Sequence, residues 1–491
     1  MLEKLRNRLL AFIESDKDTP LLAGFAVGFY MLLFYYSKNF ALANSWQQLL
    51  FFVGYYIIIP CISLLLGYKF LNLLKLSRSV RPFLFVSSIA FFAFFILQLN
   101  TLNQNNLYFF AGVLAVALLL SFRFSKYYKA LIPILFLISL FNVRPIAGAA
   151  YKFATASDEW KNLPDDIEKV VFRSKPNIYY IQPDGYTSFT TLKNSIHRFD
   201  NSDYEDFLKR QGFTLYDNFR SNYNSTLLSN SATFAMKHHY IASDIEFYGA
   251  RNVIVNDNPV LRILRNNGYR SSFITEKSYL LVNRPGLGYD YCNIREVELP
   301  YIKDGLDTKK DIFADLKVQM KDNSTSGNFY FLEKFTPGHI PNFISDSKGA
   351  INETRDYLDQ LRQANSWLKK VIEHITSNDP GAIIIVGADH GGFAGMNCTD
   401  ESLIKITDRN QIYSIFGVQT AIRWSNTKAK VYDKEMKTSI NLFRTVFSFL
   451  SGEEKYLEHM ENDGSYIKLK DPAGVYKYIN DDGSIIFEKI K

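Results

Sequence analysis

The chain has 491 residues, too many for one ordinary domain, and its hydrophobic residues, 47% of the total, are unevenly distributed. The formal net charge of +7 does not indicate a nucleic-acid-binding protein. An acid-free stretch from Thr19 to Ser157 carries ten Lys and Arg, residues 1–18 are balanced, and subtracting those ten charges leaves −3 for residues 158–491. We therefore expect no nucleic-acid partner.

The acid-free stretch contains five apolar runs: Leu21–Ser37, Leu49–Gly67, Phe83–Leu99, Leu107–Phe122 and Ala130–Val143. The first three are long enough, or nearly so, to cross a hydrocarbon core of about 30 Å as helices, and the last two are shorter. The first run has no small-residue cleavage site, which favours an uncleaved anchor over a signal peptide. The sequence predicts a membrane domain over residues 1–150 with five transmembrane helices.

The basic residues around these runs predict the orientation. Lys and Arg number four before the first run, then one, four, none and three in the successive links. This alternation is typical of five spans with a cytoplasmic N-terminus, so residues after about 145 would lie outside the cytoplasm. If the fifth run were only a buried or interfacial helix, the large domain would lie inside, and the charge pattern disfavours this. We expect a multi-pass protein of the cell (inner) membrane.

Residues 151–174 are polar and predict a connector to a domain over residues 175–491. In that domain strand and helix patterns alternate, which predicts an α/β fold with a mostly parallel sheet and helices on both faces. Between Tyr357 and Ile375, apolar residues recur at spacings of three and four, which predicts one apolar stripe on an amphipathic helix. The predicted strands are 177–182, 271–275, 328–335 and 382–388.

Polar residues follow three of these strands. Asp184 follows the first, His339 the third, and Asp389 and His390 the fourth. Ligands gather at the carboxyl ends of strands in such sheets, and two carboxylates with a histidine suit Zn²⁺ or Mn²⁺. Each residue taken alone also fits a polar turn or an ordinary loop histidine. Two carboxylates and one histidine leave one coordination position of the metal unfilled.

A hydroxyl-rich turn at 221–236, "SNYNSTLLSNSATFAM", precedes a helical pattern. A hydroxyl at a helix N-terminus faces backbone N–H groups and the positive end of the helix dipole, an environment that favours an alkoxide and a phosphate. This turn is a candidate source of the fourth ligand and of a nucleophile. An ordinary Ser or Thr N-cap is the alternative.

These segments together resemble a known family. "KPNIYYIQPDGYTS", "GFTLYDNFRSNYNSTLLSNSATFAM", "PGHIP", "YLDQLRQANSWLKKVIEHI", "IIIVGADHGG" and "SINLFRTVFSFL" resemble, in this order, the sulfatase-like branch of the alkaline phosphatase superfamily. The likeness covers roughly residues 175–450. It is greatest to the membrane-anchored bacterial members, which include lipoteichoic acid synthases and phosphoethanolamine transferases.

The resemblance implies that Asp184, Asp389 and His390 bind metal, and that Thr226 is both the fourth ligand and the nucleophile. It implies that His339 lines the phosphate site. Those transferases have Glu where this chain has Asp184, and "TLLSN" departs from the C/S-x-P-S-R motif of true sulfatases, which disfavours sulfate ester hydrolysis.

The resemblance also bears on metal number. Two-metal phosphatases of the superfamily add an Asp-x-x-x-His set and a further His beyond the DHG motif. Here the residue four before His339 is Phe335, and the only His after His390 is His459, near the C-terminus. We therefore expect one divalent metal, Zn²⁺ or Mn²⁺. His238 and His239 are expected on a helix surface without a further role.

The expected function is transfer of a phosphoglycerol- or phosphoethanolamine-type group from a membrane lipid donor to an envelope glycan or lipid, through a phospho-threonine. A phosphodiester hydrolase would share the same catalytic residues, and a non-catalytic membrane binding protein is a second alternative. Cys292 and Cys398 would lie outside the cytoplasm, either paired or as free thiols.

Overall fold

The computed structural model describes residues 2–98, 104–157, 159–240, 249–302, 304–322 and 327–490. The chain forms two compact units, Met1–Thr155 and Ala156–Lys491. The first unit is helical, with α1 Leu2–Glu14, α2 Pro20–Asn39, α3 Trp46–Phe52, α4 Ile59–Leu73, α5 Ser77–Gln98, α6 Gln104–Phe124 and α7 Leu131–Thr155. A π-helical segment, Val53–Ile58, joins α3 to α4, and a 3-10 segment, Ser125–Ala130, joins α6 to α7.

In the described part of this unit, four helical stretches are long and apolar enough to cross a membrane: Pro20–Asn39, Trp46–Leu73, Ser77–Gln98 and Asn106–Thr155. The fourth stretch has 50 residues and contains both the fourth and the fifth predicted runs, as α6 and α7. At a rise of about 1.5 Å per residue it is long enough for two crossings of a hydrocarbon core. Leu99, which ends the third predicted run, lies outside the described residues.

Helices α2, α5 and α7 begin at the same end of the first unit. Near the start of α5, Arg81 Nε lies 3.1 Å from Oδ1 of Asp18, just before α2. Immediately before α7, Lys129 Nζ donates to the carbonyl oxygen of Ser15 over 2.7 Å. Arg81, near the start of α5, and Lys129, just before α7, therefore lie beside the segment that precedes α2.

The second unit is built on a seven-stranded sheet in the order β2-β7-β6-β1-β5-β3-β4. Strands β6, β1, β5, β3 and β4 pair in parallel, and β7 is antiparallel to β6 and β2. The predicted mostly parallel α/β sheet is confirmed. The strands are β1 Ile178–Pro183, β2 Thr214–Leu215, β3 Arg270–Thr275, β4 Tyr291–Cys292, β5 Asn328–Lys334, β6 Ile383–Gly387 and β7 Thr420–Arg423.

Helices cover this sheet, and a second, antiparallel sheet follows near the C-terminus. The described helices are α8 Phe189–Leu192, α9 Ser202–Arg210, α10 Thr226–Ala235, α11 Ala250–Val255, α12 Pro259–Asn266, α13 Ile312–Asp322, α14 Ala350–Asn378, α15 Arg409–Phe416 and α16 Leu442–Ser451. The second sheet consists of β8 Ser465–Leu469, β9 Gly474–Ile479 and β10 Ile485–Lys489. The predicted amphipathic helix is α14, and its stripe from Tyr357 to Ile375 is buried in the main core.

Two features differ from the sequence expectations. Part of the expected polar connector belongs to the second unit, because Ile167, Val170 and Phe172 lie between charged residues yet are buried in its core. His238 and His239 are not on a helix surface, because α10 ends at Ala235 and both imidazoles are buried after the turn.

Of the two alternatives for Cys292 and Cys398, the structure has both residues as free thiols.

Candidate metal and nucleophile site

Two loops at the carboxyl edge of the sheet bring Asp184, Asp389 and His390 together. Asp184 directly follows β1, and Asp389 and His390 follow the neighbouring strand β6. Because parallel strands end at the same edge, the residues after them meet there. One ligand atom from each of the three residues lies within 4.8 Å of the others, and all three residues are buried.

In the loop after β1, the backbone at Gly185 packs closely against the backbone at Gly338. Gly185 has φ +67°, and a Cβ atom at this position would lie 2.1 Å from the carbonyl oxygen of Gly338. Only glycine adopts this conformation without cost and leaves room for the neighbouring loop. The Gly185 N–H donates to Asp389 Oδ1 over 3.2 Å, so this turn also orients the second carboxylate.

The loop after β6 presents one nitrogen of His390. The backbone N–H of Gly391 donates to the carbonyl oxygen of Ile415 over 2.7 Å, which fixes the turn against the end of α15. His390 Nδ1 lies 2.9 Å from the carbonyl oxygen of Gly391, and since a carbonyl only accepts, Nδ1 carries the proton. The lone pair of Nε2 is then free to bind a metal.

Thr226 is the first residue of α10, and its hydroxyl lies beside this nitrogen. Thr226 Oγ1 is 3.3 Å from His390 Nε2. The Ser229 hydroxyl, one turn later, instead donates to the carbonyl oxygen of Tyr223 over 2.8 Å. Ser225 precedes the helix, and its buried Oγ has no hydrogen-bond partner. Of the three hydroxyls, that of Thr226 is the one within hydrogen-bonding distance of His390.

The atoms at this site fit a bound divalent metal. Asp184 Oδ1 and Asp389 Oδ2 are buried and have no hydrogen-bond partner, which is costly for carboxylates unless a cation binds them. They lie 3.3 Å and 3.5 Å from His390 Nε2, close to the 3.3 Å of Thr226 Oγ1. A tetrahedral Zn²⁺ site with bonds of about 2.1 Å has ligand atoms about 3.4 Å apart. Asp184, Thr226, Asp389 and His390 could therefore hold the ion.

The charges of these groups are coupled. Burial raises the pKa of Asp184, and the Asp389 carboxylate raises it further. Burial alone would lower the pKa of His390, but the carboxylates of Asp389 and Asp184 outweigh that effect and raise it. A metal must displace the protons that these groups bind, so metal affinity is expected to increase with pH.

His339 lies at the exposed rim of the site. Its ring centroid is 5.6 Å from that of His390. His339 Nδ1 is 2.6 Å from the carbonyl oxygen of Ile340, so Nδ1 is the protonated nitrogen and Nε2 is the acceptor. His339 is accordingly near the metal ligands without being part of the three-residue cluster.

Two titratable groups beside the site, Glu333 and Lys277, are absent from the residues predicted from the sequence. Glu333 is 1% exposed, and burial raises its pKa, with further contributions from Asp184 and Asp389. The positive charge of Lys277, which follows β3, lowers the pKa of Asp184. The available signals were an acid near the end of the apolar segment "NFYFLEKF" and a lysine just past a strand end.

Comparison with known proteins gives matches among solved structures. No protein-family model and no curated protein matches the chain. It is similar to the integral membrane lipooligosaccharide phosphoethanolamine transferase A of Neisseria meningitidis, with TM-score 0.40 and 12% identity over 88% of this chain and 96% of that one. For the lipoteichoic acid synthase of Listeria monocytogenes, the TM-score is 0.41 and identity 13%, over 65% of this chain and 91% of that one.

A putative sulfatase from Bacteroides fragilis is also similar, with TM-score 0.40 and 12% identity over 62% of this chain and 83% of that one. The matched structures thus include phosphoethanolamine transferases, a lipoteichoic acid synthase and sulfatases.

Proposed function

We propose that this protein is a membrane-anchored, metal-dependent transferase that moves a phosphoglycerol- or phosphoethanolamine-type group through a covalent phospho-threonine at Thr226. The observation that carries the proposal is the hydroxyl of Thr226, 3.3 Å from His390 Nε2, in a site with two buried carboxylate oxygens, Asp184 Oδ1 and Asp389 Oδ2, that have no hydrogen-bond partner. Structural carboxylates are normally hydrogen-bonded, so this arrangement favours a metal-assisted nucleophile.

A Zn²⁺ or Mn²⁺ ion bound by Asp184, Thr226, Asp389 and His390 would lower the pKa of the Thr226 hydroxyl and withdraw charge from a phosphoryl oxygen. In the first step, Thr226 Oγ1 forms a bond to phosphorus as the bond from phosphorus to the donor's leaving oxygen breaks. His339 Nε2 accepts the hydroxyl proton and returns it to the leaving oxygen. The N-terminus of α10 stabilises negative charge at the phosphoryl group.

In the second step, a hydroxyl of the acceptor attacks phosphorus and the bond to Thr226 Oγ1 breaks. His339 takes the proton of the acceptor hydroxyl and gives it to Thr226 Oγ1 as that oxygen leaves phosphorus. Water in place of the acceptor would make the same residues a phosphodiester hydrolase. Product analysis with and without a sugar acceptor separates the two reactions.

The apolar helices of the first unit favour a lipid donor and an envelope glycan or lipid acceptor, on the extracytoplasmic side of the membrane. Helix α7 runs in the same direction as α2, because Lys129 contacts Ser15 near both helix starts and Ser37 Oγ donates to Asn142 Oδ1 further along both helices, over 3.1 Å. This arrangement supports an odd number of crossings between the start of α2 and the end of α7. A cytoplasmic N-terminus then leads to an extracytoplasmic second unit.

The test traps the covalent intermediate. The full chain is incubated with a nitrophenyl phosphodiester donor, quenched in acid, digested and analysed by mass spectrometry. We expect the label on Thr226, and we expect Thr226→Ala to reduce turnover by about 10³-fold or more with metal content largely retained.

Two matched variants make the assignment specific. Ser225→Ala and Ser229→Ala remove neighbouring hydroxyls and should leave labelling of Thr226 intact. A label on Ser225 or Ser229, or normal turnover in Thr226→Ala, would refute the nucleophile assignment. Mass spectrometry of envelope glycolipids and polymers from cells with and without the protein then identifies donor and acceptor.

A further inference from the structure

A second polar cavity lies in the α/β unit, apart from the metal site. It has a volume of about 290 Å³, and its lining includes Thr190, Asn194, Asn218, Arg220, Arg409 and Tyr413. The walls come from α8 and the loop after it, the segment after β2, the first turns of α15, and the turn between β9 and β10. None of the proposed metal ligands lines this cavity.

Arg220 gives the cavity a buried positive charge. The residue is 5% exposed, and its Nη2 donates only to backbone carbonyl oxygens, the nearest being that of Asp463 at 3.0 Å. Its Nε is buried without a hydrogen-bond partner. Within the described residues no carboxylate pairs with this guanidinium, although buried arginines are normally paired with an anion.

Among the described residues, the one acid that lines the cavity, Asp482, forms no ion pair with Arg220. The hydrogen bonds from Ser484 lower the pKa of Asp482 most, and the charge of Arg220 lowers it further. Asp482 Oδ1 accepts hydrogen bonds from the backbone N–H and the hydroxyl of Ser484, over 2.9 Å and 2.6 Å. A second cation, Arg409, is exposed on α15, with its guanidinium carbon 4.6 Å from the ring centroid of Tyr413. The lining therefore has two guanidinium groups and a single carboxylate that is hydrogen-bonded elsewhere.

Neutral polar groups complete the lining. Asn194 Oδ1 accepts from the backbone N–H of Ile196 over 2.9 Å, which orients the side-chain amide. The Tyr413 hydroxyl donates to the carbonyl oxygen of Gly483 over 2.5 Å and holds the turn between β9 and β10 against α15. Amides and hydroxyls of this kind bind the hydroxyl groups of sugars and polyols, and guanidinium groups bind phosphate oxygens in pairs.

We propose that this cavity binds a phosphate-type anion carried on a hydroxyl-rich molecule, with Arg220 and Arg409 contacting the anion. The unpaired buried guanidinium is the observation that distinguishes the cavity from an ordinary polar cleft. The assignment goes beyond the proposed catalytic function and does not depend on it, because the cavity shares no residue with the metal site.

The test uses the full chain in detergent with the Asp389→Ala substitution and a chelator, so that the metal site cannot bind the probe. Titration calorimetry with glycerol 1-phosphate is compared with inorganic phosphate and with glycerol. We expect saturable binding of glycerol 1-phosphate that is tighter than that of inorganic phosphate and weakens with added salt, and no binding of glycerol. Absence of saturable binding, or equal binding of glycerol, would overturn the proposal.

Arg409→Gln in the same background tests the cavity directly, since this exposed residue can be replaced without disturbing the core. Loss of one guanidinium contact to an anion should weaken binding about tenfold or more. Arg210→Gln, at an exposed arginine on α9, is the matched control and should bind as the parent does. Unchanged binding in Arg409→Gln, or the same loss in Arg210→Gln, would contradict the assignment.

Discussion

At the scale of single residues, replacement of Asp389 should reduce metal binding most directly. Its Oδ2 is buried without a hydrogen-bond partner, and its Oδ1 accepts the Gly185 N–H. We expect the full chain to hold about one Zn²⁺ or Mn²⁺, measured by elemental analysis, and Asp389→Ala to lose most of it. Asp356→Ala, at a half-buried acid on α14 that pairs with Lys348, is the control. Two firmly bound ions, or full retention in Asp389→Ala, would contradict a single site.

His238 should make the second unit sensitive to acid. Its Nε2 donates to the carbonyl oxygen of Asn462 over 2.9 Å, and its Nδ1 lies 3.0 Å from the Tyr223 hydroxyl. Burial lowers its pKa from 6.5 to about 4. Because the folded pKa is the lower one, stability is complete above about pH 6.5 and decreases as pH falls towards 4, by about 3 kcal/mol at pH 4 for this residue.

Thermal unfolding of the full chain between pH 7 and pH 4 measures this effect. His238→Gln keeps a neutral polar group, so its midpoint should fall less across this range than that of the parent. His459→Gln replaces an exposed histidine and should follow the parent curve. Parallel curves for the parent and His238→Gln would refute the contribution of this residue.

At the scale of elements, the approach of α15 to the loop after β6 determines where His390 lies. A Cβ atom at Gly391 would lie 2.1 Å from the carbonyl oxygen of Ser414. We expect Gly391→Ala to separate these elements, to destabilise the unit by about 1–3 kcal/mol and to reduce metal binding. Thermal unfolding and metal analysis measure both effects. Gly381→Ala is the control, since no heavy atom lies within 4 Å of its Cβ position, and equal behaviour of the two variants would disprove this account.

At the scale of the whole molecule, the topology decides which substrates can reach the site. Basic residues numbering four, one, four, none and three flank the successive apolar runs. A reporter enzyme that is active only outside the cytoplasm should therefore be active when fused after residue 160. The same reporter after Lys75 should be silent, as that link is expected in the cytoplasm. The opposite pair of results would place the second unit inside and remove lipid-linked envelope substrates from consideration.

Much of the fold could be predicted from hydrophobic patterns alone. The strands β1, β3, β5 and β6 and the helix α14 appear where their periodicity predicts them, because each must bury one face or both. The antiparallel edge made by β2 and β7 could not be foreseen. Those strands have two and four residues, too short to show a pattern.

The sequence by itself determined that Asp184, Asp389 and His390 share one sheet edge, since each follows a strand and parallel strands end together. The sequence indicated Thr226 only through the family resemblance, and the 3.3 Å distance from its hydroxyl to His390 Nε2 comes from the tertiary structure, because the direction of α10 depends on the core it packs against. The tertiary structure also decided that Glu333, Arg220, His238 and His239 are buried. A polar side chain in a linear sequence does not reveal whether distant segments will close over it, and packing of those segments determines its charge state and its partners.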